Sequence, residues 1–366
     1  MPKKIEEYPL LPLFHKFINE AKKGKHLQKN GKKIKTDSLN NYVYLENLLL
    51  KFSEEKVFHI RILNAITLTK KQFDNEQKYW KNFYHLFTSY LYDELGHFDN
   101  YVGRLIKLLR SFFNYLITEK GLNVGSFHKK FYAPHEEIEI IVLTPERLNY
   151  LIHDKELHKK LTPDLKKVKD VFVFGCSVAL RYSDLIALNK TNLEVINERV
   201  YIKVQSKKTQ TFTRVKIPEY AIQIIKKYEK LYRHKLLPEF NNAFFNKKIK
   251  NIMQHYGFTE LIGRTRLRRG IPITIYKDKK SKSTFRFCDS VTTHTMRRSG
   301  ITTLLSLGMK EQMVRQISGH SANSKDFFRY VSFAQTYIDK EIDDVYEKFN
   351  NKRLEFDTEL SLKLKF

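Results

Sequence analysis

The segment THTMRRSG at residues 293–300 places His294 and Arg297 three residues apart, on one face of a predicted helix. Alone the pair is a weak signal, because any basic helix produces such pairs by chance. Four other segments of the C-terminal half add groups that interact with phosphate: Arg181 in SVALRYSDL (177–185), Lys208 in VQSKKTQTFTRVKIP (204–218), His320 in ISGHS (317–321) and Tyr330 in FFRYV (327–331). Together they predict a phosphate clamp with a tyrosine nucleophile beside it.

Arg181 and His320 each have a simpler structural interpretation. Arg181 lies in a mostly apolar segment, where an unpaired guanidinium is costly, so the fold must pair it or direct it to a ligand. We expect Asp184 on the same helix face, which makes an internal ion pair the structural alternative. His320 follows Gly319, which is predicted to end a helix, and a histidine there often only caps the helix end.

The lysine and the tyrosine each have a competing neighbour. Lys207 stands beside Lys208 in the same predicted turn, and an exposed turn lysine is the structural alternative for both. Tyr330 is one of 21 tyrosines, and Tyr337 is the next candidate after it. The residue types alone leave these two choices open.

The composition predicts a polyanionic partner. The formal net charge is +27, from 67 basic and 40 acidic residues. This charge is spread along the chain rather than gathered beside an apolar anchor, so nucleic acid is favoured over a membrane. No signal peptide or transmembrane segment is apparent, and we expect a cytoplasmic protein. Cys176 and Cys288 fit no metal-binding spacing and are interpreted as reduced thiols.

A chain of 366 residues is long enough for two domains. Residues 8–125 are predicted to form a helical domain, with the clearest apolar stripe in a helix over about 97–119. Arg104, Lys107 and Arg110 project from its other faces, as candidate phosphate contacts or as solvated charges. Residues 126–142 lack helical periodicity and predict an exposed linker. A second domain over 143–348 should begin with Thr144 as an N-cap before Pro145.

The second domain mixes helices with small hairpins. The stretch 170–188, DVFVFGCSVALRYSDLIAL, looks like a buried helix. RVYIKV (199–204) and TRVKIP (213–218) alternate apolar and polar residues and predict a hairpin with QSKKTQ at its turn. ITIY (273–276) and STFRF (283–287) predict another, whose loop contains Lys279 and Lys280 as candidate DNA contacts. Helices through 293–308 and 310–318 follow.

The order and spacing of the five segments resemble the tyrosine recombinase family, the phage integrases. LRYSD matches the family's LRxSE/D motif, HTMR its HxxR box, and GH its histidine dipeptide. The residue directly before the threonine in SKKT matches the family's turn lysine best, which favours Lys208. Arg329 occupies the family's usual tyrosine position and Tyr330 comes one residue later, yet Tyr330 is favoured because Tyr337 lies too far along.

The resemblance implies a fold and a division of roles. The fold would be mainly α with small β-hairpins (α+β), a two-domain C-shaped clamp made of a SAM-like core-binding domain and a catalytic domain. Arg181 and Arg297 would bind the scissile phosphate, with Asp184 in support, and His320 would hydrogen-bond the same phosphate. We assign His294 to help remove the proton of Tyr330, and Lys208 to protonate the leaving 5′ oxygen. No metal and no other cofactor is expected.

We therefore expect a site-specific recombinase of a phage or another mobile element, acting through a 3′-phosphotyrosyl intermediate. The expected partners are double-stranded recombination sites, a homotetramer on paired DNA, and accessory DNA-bending or directionality proteins, with no membrane partner. A type IB topoisomerase and a non-catalytic DNA-binding regulator are the alternatives. The tail, residues 349–366, alternates like a strand through Leu360, Leu362, Leu364 and Phe366, and should pack on its own catalytic domain or on a neighbour's.

Overall fold

Helices make up most of the chain. The computed structural model describes residues 5–28, 31–206, 211–321, 324, 327–334, 339, 342–343 and 345–350. In chain order the α-helices are α1 (Leu10–Lys22), α2 (Thr36–Glu55), α3 (Lys70–Ser89), α4 (Asp99–Thr118), α5 (Pro145–His153), α6 (Glu156–Lys160), α7 (Pro163–Val178), α8 (Tyr182–Leu185), α9 (Glu219–Glu229), α10 (Asn242–His255), α11 (Phe287–Ser290), α12 (Thr293–Ser306), α13 (Glu311–Ser318) and α14 (residues 327–334), and residues 339, 342–343 and 345–350 are also α-helical. Within the described residues, no helix is both long and apolar enough to cross a membrane.

The strands are short and pair into small antiparallel sheets. They are β1 (Glu7–Pro9), β2 (Arg61–Leu63), β3 (Leu193–Ile196), β4 (Arg199–Gln205), β5 (Phe212–Lys216), β6 (Leu261–Ile262), β7 (Thr265–Arg268), β8 (Ile271–Thr274) and β9 (Phe285–Arg286). One sheet has the order β3-β4-β5, while β1 pairs with β2, β6 with β9 and β7 with β8. The predicted mainly α fold with small hairpins is confirmed, and β4 and β5 form the hairpin predicted from 199–204 and 213–218.

The first of two compact units contains Met1–Ile138 together with Arg264–Ile275. Its core is rich in aromatic side chains, including Phe14, Phe17, Phe52, Trp80, Phe83, Phe87, Phe112 and Phe113. Helix α3 begins with a capping box in which Thr69 and Gln72 satisfy each other's main-chain amides. Helix α4 confirms the helix predicted over 97–119 and buries the apolar stripe from Val102 to Leu116. Aromatic packing of four helices therefore builds this unit.

The hairpin of β7 and β8 corrects a prediction. Strand β8 pairs with β7, and β9 pairs with β6, so the predicted pairing of 273–276 with 283–287 is wrong. The reason is the two-residue turn at Arg269 and Gly270, whose φ angles of 53° and 76° suit a tight hairpin. Asp99 accepts hydrogen bonds from the amides of Arg269 and Gly270, at 2.8 and 2.9 Å. This turn therefore belongs to the first unit.

Residues 126–142 are less exposed than the predicted linker. Phe127 and Phe131 are buried in the aromatic core of the first unit, whereas Ile140 and Val142 are buried in an apolar cluster of the second. The exposed character predicted from missing periodicity therefore holds for only part of the segment, because irregular segments can still bury apolar side chains. The chain passes from one unit to the other between Ile138 and Glu139.

The second unit contains Glu139–Gly263 and Tyr276–Phe366 and is built around the buried helix α7. Helix α5 begins as predicted, with the Thr144 hydroxyl accepting from the amide of Arg147 and Pro145 at the first helical position. Helix α12 packs closely on α7 because each of the two helices has a glycine facing the other. A Cβ atom at Gly175 would overlap the sulfur of Met296, and one at Gly300 would overlap the main-chain carbonyl of Cys176.

Candidate active site

Arg181 is positioned by a break between two helices. Helix α7 ends at Ala179, which adopts a left-handed conformation with φ of 50°, and Arg181 then serves as the extended N-cap residue of α8. The prediction that Arg181 and Asp184 share a face of one continuous helix is therefore wrong. The Arg181 Nη1 atom donates to Ser206 Oγ at 3.0 Å, and Ser206 Oγ donates to Asp184 Oδ2 at 3.0 Å. A serine at the end of β4 thus connects the guanidinium to a buried carboxylate.

Arg297 is almost completely buried, with 2% of its surface exposed. It lies on α12, and its Nη1 donates to the carbonyl oxygen of Ala179 at 2.9 Å. That carbonyl is available because α7 has just ended, and carbonyls in the last turn lack intrahelical partners. Burial, and then the positive charge of Arg181, lower the pKa of Arg297 to about 10. The two arginines are therefore electrostatic neighbours that an anion would stabilise.

His320 is presented by the end of α13. Gly319 ends this helix as predicted, with φ of 64°, a conformation that glycine adopts without strain. The His320 amide donates to the carbonyl of Arg315 at 3.0 Å, and its ring lies beside Arg297, whose Nη2 is 3.2 Å from both ring nitrogens. Burial, followed by the charges of Arg297 and Arg181, lowers the pKa of His320 to about 3. The imidazole is therefore neutral at physiological pH.

Tyr330 faces the same cluster from α14. It is buried, and its ring centroid lies 5.9 Å from that of His320 and 5.9 Å from that of Phe327. Its negative form would raise the pKa of Arg297. Arg329, at the position the family usually gives to the tyrosine, is only half-buried. The extra residue before Tyr330 is thus accommodated with its ring beside His320 and within electrostatic reach of Arg297.

His294 lies at the exposed start of α12, where the Thr292 hydroxyl accepts from its amide. Its positive form lowers the pKa of His320, which places it within electrostatic reach of the cluster. Five of the six predicted catalytic residues, Arg181, His294, Arg297, His320 and Tyr330, are thus brought into one neighbourhood. Lys208, its competitor Lys207, the other tyrosine candidate Tyr337 and the tail residues 351–366 lie outside the described residues.

The candidate DNA contacts lie on the surface. Arg104 and Lys107 are exposed on α4, and Arg110 on the same helix is half-buried. The Arg104 guanidinium lies over the ring of Tyr101, 4.8 Å from its centroid. Lys279 and Lys280 are exposed in a turn where Asp278 accepts from the Lys280 amide. Their positions leave them accessible to a polyanion, and their role stays a prediction.

Sequence reasoning missed three residues that organise the site. Ser206 bridges Arg181 to Asp184, and Ser318 lies 2.7 Å from His320 Nδ1. Arg315 donates to the carbonyl of Ser321 at 3.1 Å, and its guanidinium lies 4.1 Å from the ring centroid of Phe327, the first residue of α14. A single serine carries no recognisable pattern, but the basic residue in the last turn of α13 is a signal that could have been weighed.

The arrangement has clear chemical capacities. Two guanidiniums, each anchored by a neutral acceptor, leave further N–H groups for a phosphate. A neutral imidazole lies close to one of them and close to a phenol. Such a site can bind a phosphodiester, stabilise added charge on its non-bridging oxygens, and place a hydroxyl nucleophile next to it.

Comparison of the sequence with known protein families finds a match. The sequence profile of the phage integrase family matches residues 142–335, which include all six predicted catalytic positions. No curated protein sequence matches the chain.

Solved structures share the fold at low identity. The integrase of transposon Tn1549, bound to transposon right end DNA, is 14% identical over 89% of this chain and 94% of that chain, with a TM-score of 0.51. A lambda integrase tetramer bound to a Holliday junction is 12% identical over 87% of this chain and 79% of that chain, with a TM-score of 0.52. The XerH site-specific recombinase bound to a palindromic difH substrate is 14% identical over 95% of this chain and 100% of that chain, with a TM-score of 0.50.

Proposed function

Because the chain belongs to the phage integrase family, whose members are tyrosine recombinases that cleave and rejoin DNA, we propose that it is a site-specific recombinase of a phage or another mobile element. The observation that carries this proposal is the meeting of Arg181, Arg297, His320 and Tyr330 in one cluster. Together they supply anion binding and a nucleophile at one place.

Tyr330 is the proposed nucleophile. Its Oη would form a bond to the phosphorus of a DNA phosphodiester while the bond from phosphorus to the 5′ oxygen breaks. The product is a 3′-phosphotyrosyl link and a free 5′ hydroxyl. Because the phosphoester bond is conserved, the 5′ hydroxyl of another strand can attack the link, releasing Tyr330 and joining new partners.

The arginines are proposed to stabilise the transition state. As the phosphorus becomes five-coordinate, negative charge grows on its non-bridging oxygens, and forked hydrogen bonds from Arg181 and Arg297 oppose that charge. Ser206 and the Ala179 carbonyl support this role, because they fix one N–H of each guanidinium and so restrict its orientation. Asp184, through Ser206, offsets the repulsion between the two cations.

Two proton transfers accompany the step. The proton of the Tyr330 hydroxyl must be taken up as its oxygen attacks, and we assign His294 to assist. The departing 5′ oxygen needs a proton, and we assign Lys208 as its donor. His320 completes the group of residues around the phosphate.

The partners follow from the same proposal. The substrate is double-stranded DNA containing a recombination site, bound by the basic surfaces of both units, with residues 8–125 as the core-binding domain and 143–348 as the catalytic domain. Strand exchange between two sites requires four active subunits, and the tetrameric assembly of lambda integrase on a Holliday junction supports a homotetramer here. Accessory DNA-bending or directionality proteins and a cytoplasmic location complete the proposal.

The function is tested with DNA fragments from around the protein's own gene. Duplexes nicked close to the cleavage position should trap a detergent-stable protein–DNA adduct, because the short 5′-hydroxyl strand diffuses away. Intact fragments carrying two sites should yield recombinants only when both sites are present. Relaxation of supercoiled plasmid that needs no paired sites would instead assign a topoisomerase, and tight binding without any cleavage would assign a DNA-binding regulator.

A further inference from the structure

Arg315 is buried in the last turn of α13 although its side chain is charged. It is 7% exposed, and its Nε atom donates to Glu311 Oε1, one turn back on the same helix, at 2.7 Å. Its Nη1 atom donates to the main-chain carbonyl of Ser321 at 3.1 Å. Burying a charge is costly unless the group is paired and hydrogen-bonded. These two contacts offset that cost and fix the direction of the guanidinium.

The third contact of Arg315 is with the first residues of α14. Its Cζ atom lies 4.1 Å from the ring centroid of Phe327 and 5.1 Å from that of Phe328. The attraction between a cation and an aromatic ring is stronger where water is excluded. Phe327 is fully buried, whereas Phe328 is exposed. Phe327 is therefore the ring whose position depends most on Arg315.

Phe327 lies in turn beside two aromatic residues of the site. Its ring centroid is 5.2 Å from that of His320 and 5.9 Å from that of Tyr330. Phe327 and Tyr330 are three residues apart on α14 and so project from one face of that helix. Both are buried in an apolar cluster that also contains Val314, the neighbour of Arg315 on α13. The position of Phe327 therefore affects where the Tyr330 ring lies.

We infer that Arg315 is a positioning residue for Tyr330 and that it acts through Phe327. The main-chain carbonyl of Arg315 accepts from the His320 amide at 3.0 Å, while its side chain contacts Ser321 and Phe327. One residue thus contacts both ends of the connection between the histidine turn and α14. Such contacts restrict the conformations open to the start of α14, three residues before the nucleophile.

This inference deepens the proposed function and rests on it for its catalytic consequence. A nucleophile reacts efficiently only when it is placed within about 3–3.5 Å of the atom that it attacks, and a misplacement of about 1 Å can cost on the order of 100-fold in rate. Arg315 is placed to influence the position of the Tyr330 ring through a neighbouring ring. Its loss should therefore affect the chemical step more than the binding of DNA.

The position of the Tyr330 ring is measured without DNA in the full-length protein labelled with 3-fluorotyrosine. The ¹⁹F NMR resonance of Tyr330 is assigned by its loss in Tyr330→Phe. Because this ring is buried beside two other aromatic rings, its wild-type resonance should differ from those of exposed tyrosines. Arg315→Ala and Phe327→Leu should each move it towards the exposed tyrosines or broaden it.

Cleavage kinetics test whether Arg315 acts through Phe327. Arg315→Ala and Phe327→Leu should each form the covalent adduct on nicked DNA roughly tenfold more slowly, with unchanged DNA affinity, because the nucleophile is misplaced. If the arginine acts through the ring, the double variant should be slowed by about the same factor as each single variant. Independent contributions would instead multiply to roughly a hundredfold.

Arg315→Lys separates the charge of Arg315 from its shape. Burial lowers the pKa of His320 most, and the positive charge of Arg315 adds a smaller effect in the same direction. Lysine retains that charge but has no planar group that can lie on a ring and donate to Ser321 together. This variant should still move the Tyr330 resonance and slow cleavage, by less than Arg315→Ala. It also carries the test if the alanine variant fails to fold.

Arg147→Ala is the matched control. This guanidinium, on α5 of the same unit, also pairs with a glutamate, Glu260. It also lies over two phenylalanine rings, 5.2 Å from the centroid of Phe258 and 4.8 Å from that of Phe287. None of these residues belongs to α13 or α14. The variant loses contacts of the same kind, but it should leave the Tyr330 resonance and the cleavage rate unchanged.

The outcomes separate this inference from the proposed function. An unmoved Tyr330 resonance in Arg315→Ala, a moved resonance with unaltered cleavage, or multiplied effects in the double variant would each overturn the positioning role, even if the enzyme recombines DNA. Equal slowing in Arg147→Ala would indicate a general loss of stability, and wild-type behaviour of Arg315→Lys would indicate an effect of charge alone; either result also overturns it. A resonance that moves as expected in a protein that forms no adduct on its own sites contradicts the proposed function instead.

Discussion

Gly300 on α12 lies directly against the main-chain carbonyl of Cys176 on α7, so closely that a Cβ atom at position 300 would overlap the carbonyl oxygen. Three residues before this contact is Arg297, and three residues after Cys176 is Ala179, whose carbonyl accepts from Arg297. The close crossing of these two helices therefore fixes where the buried guanidinium lies relative to the segment that carries Arg181.

Replacing this glycine tests how the crossing supports the site. Gly300→Ala should lower the stability of the protein by about 1–3 kcal/mol, because the added methyl group must push the helices apart. It should also slow adduct formation by more than it weakens DNA binding, since Arg297 moves with α12. Gly263→Ala is the control, because a Cβ atom at position 263 meets nothing within 4 Å. Equal melting temperatures for the two variants would refute the tight crossing.

The loss of folding stability at acid pH depends in part on the titration of His128. This residue is buried in the first unit and stacks on Phe113 with 5.2 Å between ring centroids. Burial, with smaller effects from Lys129 and Arg110, lowers its pKa from 6.5 to about 4. The folded state therefore binds fewer protons than the unfolded state between these values, and the stabilisation present above pH 6.5 is lost as the pH falls towards 4.

His128→Gln removes this titration and retains a polar side chain for Asn114, whose Oδ1 lies 2.9 Å from His128 Nε2. Denaturant unfolding between pH 7 and pH 4 should show a smaller loss of stability in the variant, by up to about 3 kcal/mol. His59→Gln, at an exposed site, should follow the wild-type curve. A variant that loses stability as steeply as the wild type would show that His128 is already protonated in the folded protein.

Local patterns predicted the helices that carry the site. Helices α4 and α12 were predicted from apolar spacing, and the end of α13 from Gly319, because caps and periodicity are properties of neighbouring residues. The turn at Arg269 and Gly270 was missed since the carboxylate that fixes it, Asp99, lies 170 residues earlier. A contact at such separation has no signal in a single sequence.

The site also contains residues that local sequence patterns predict and features that they do not. Arg297 and His320 were found because motif order marks them, whereas the break of α7 at Ala179 was missed in an apolar stretch that contains no proline or glycine at that point. That break, rather than a continuous helix, brings a main-chain carbonyl to Arg297. Ser206 and Ser318 contribute through geometry alone, and their residue type is too common to mark them.

DNA affinity should depend steeply on salt. Each phosphate neutralised on duplex DNA contributes about 0.9 to the slope of log affinity against log salt. If Arg104 and Lys107 each contact a phosphate, replacing both by Gln should reduce the slope by about 1.8. Lys51→Gln, which removes an exposed lysine paired with Glu55 at 3.5 Å, is the control and should leave the slope unchanged. An unaltered slope in the double variant would show that Arg104 and Lys107 are solvated charges and do not contact phosphates.

The lysine is tested by changing the leaving group. If Lys208 protonates the departing 5′ oxygen, Lys208→Ala should cleave ordinary DNA slowly but recover on a 5′-phosphorothiolate substrate, because a thiol needs far less help to leave. Arg181→Ala should recover little, since charge on the non-bridging oxygens is the same in both substrates. Rescue of Lys207→Ala alone would transfer the role to the neighbouring lysine, and rescue of neither would place the acid elsewhere.

The most direct test maps the tyrosine that carries the DNA. Wild-type protein is trapped on nicked DNA from its own site, digested, and the peptide retaining a nucleotide is sequenced by mass spectrometry. The modified residue should be Tyr330, and Tyr330→Phe should bind the same DNA with unchanged affinity while forming no adduct. An adduct on Tyr337, or an undiminished adduct in Tyr330→Phe, would contradict the assignment of the nucleophile on which the proposed mechanism rests.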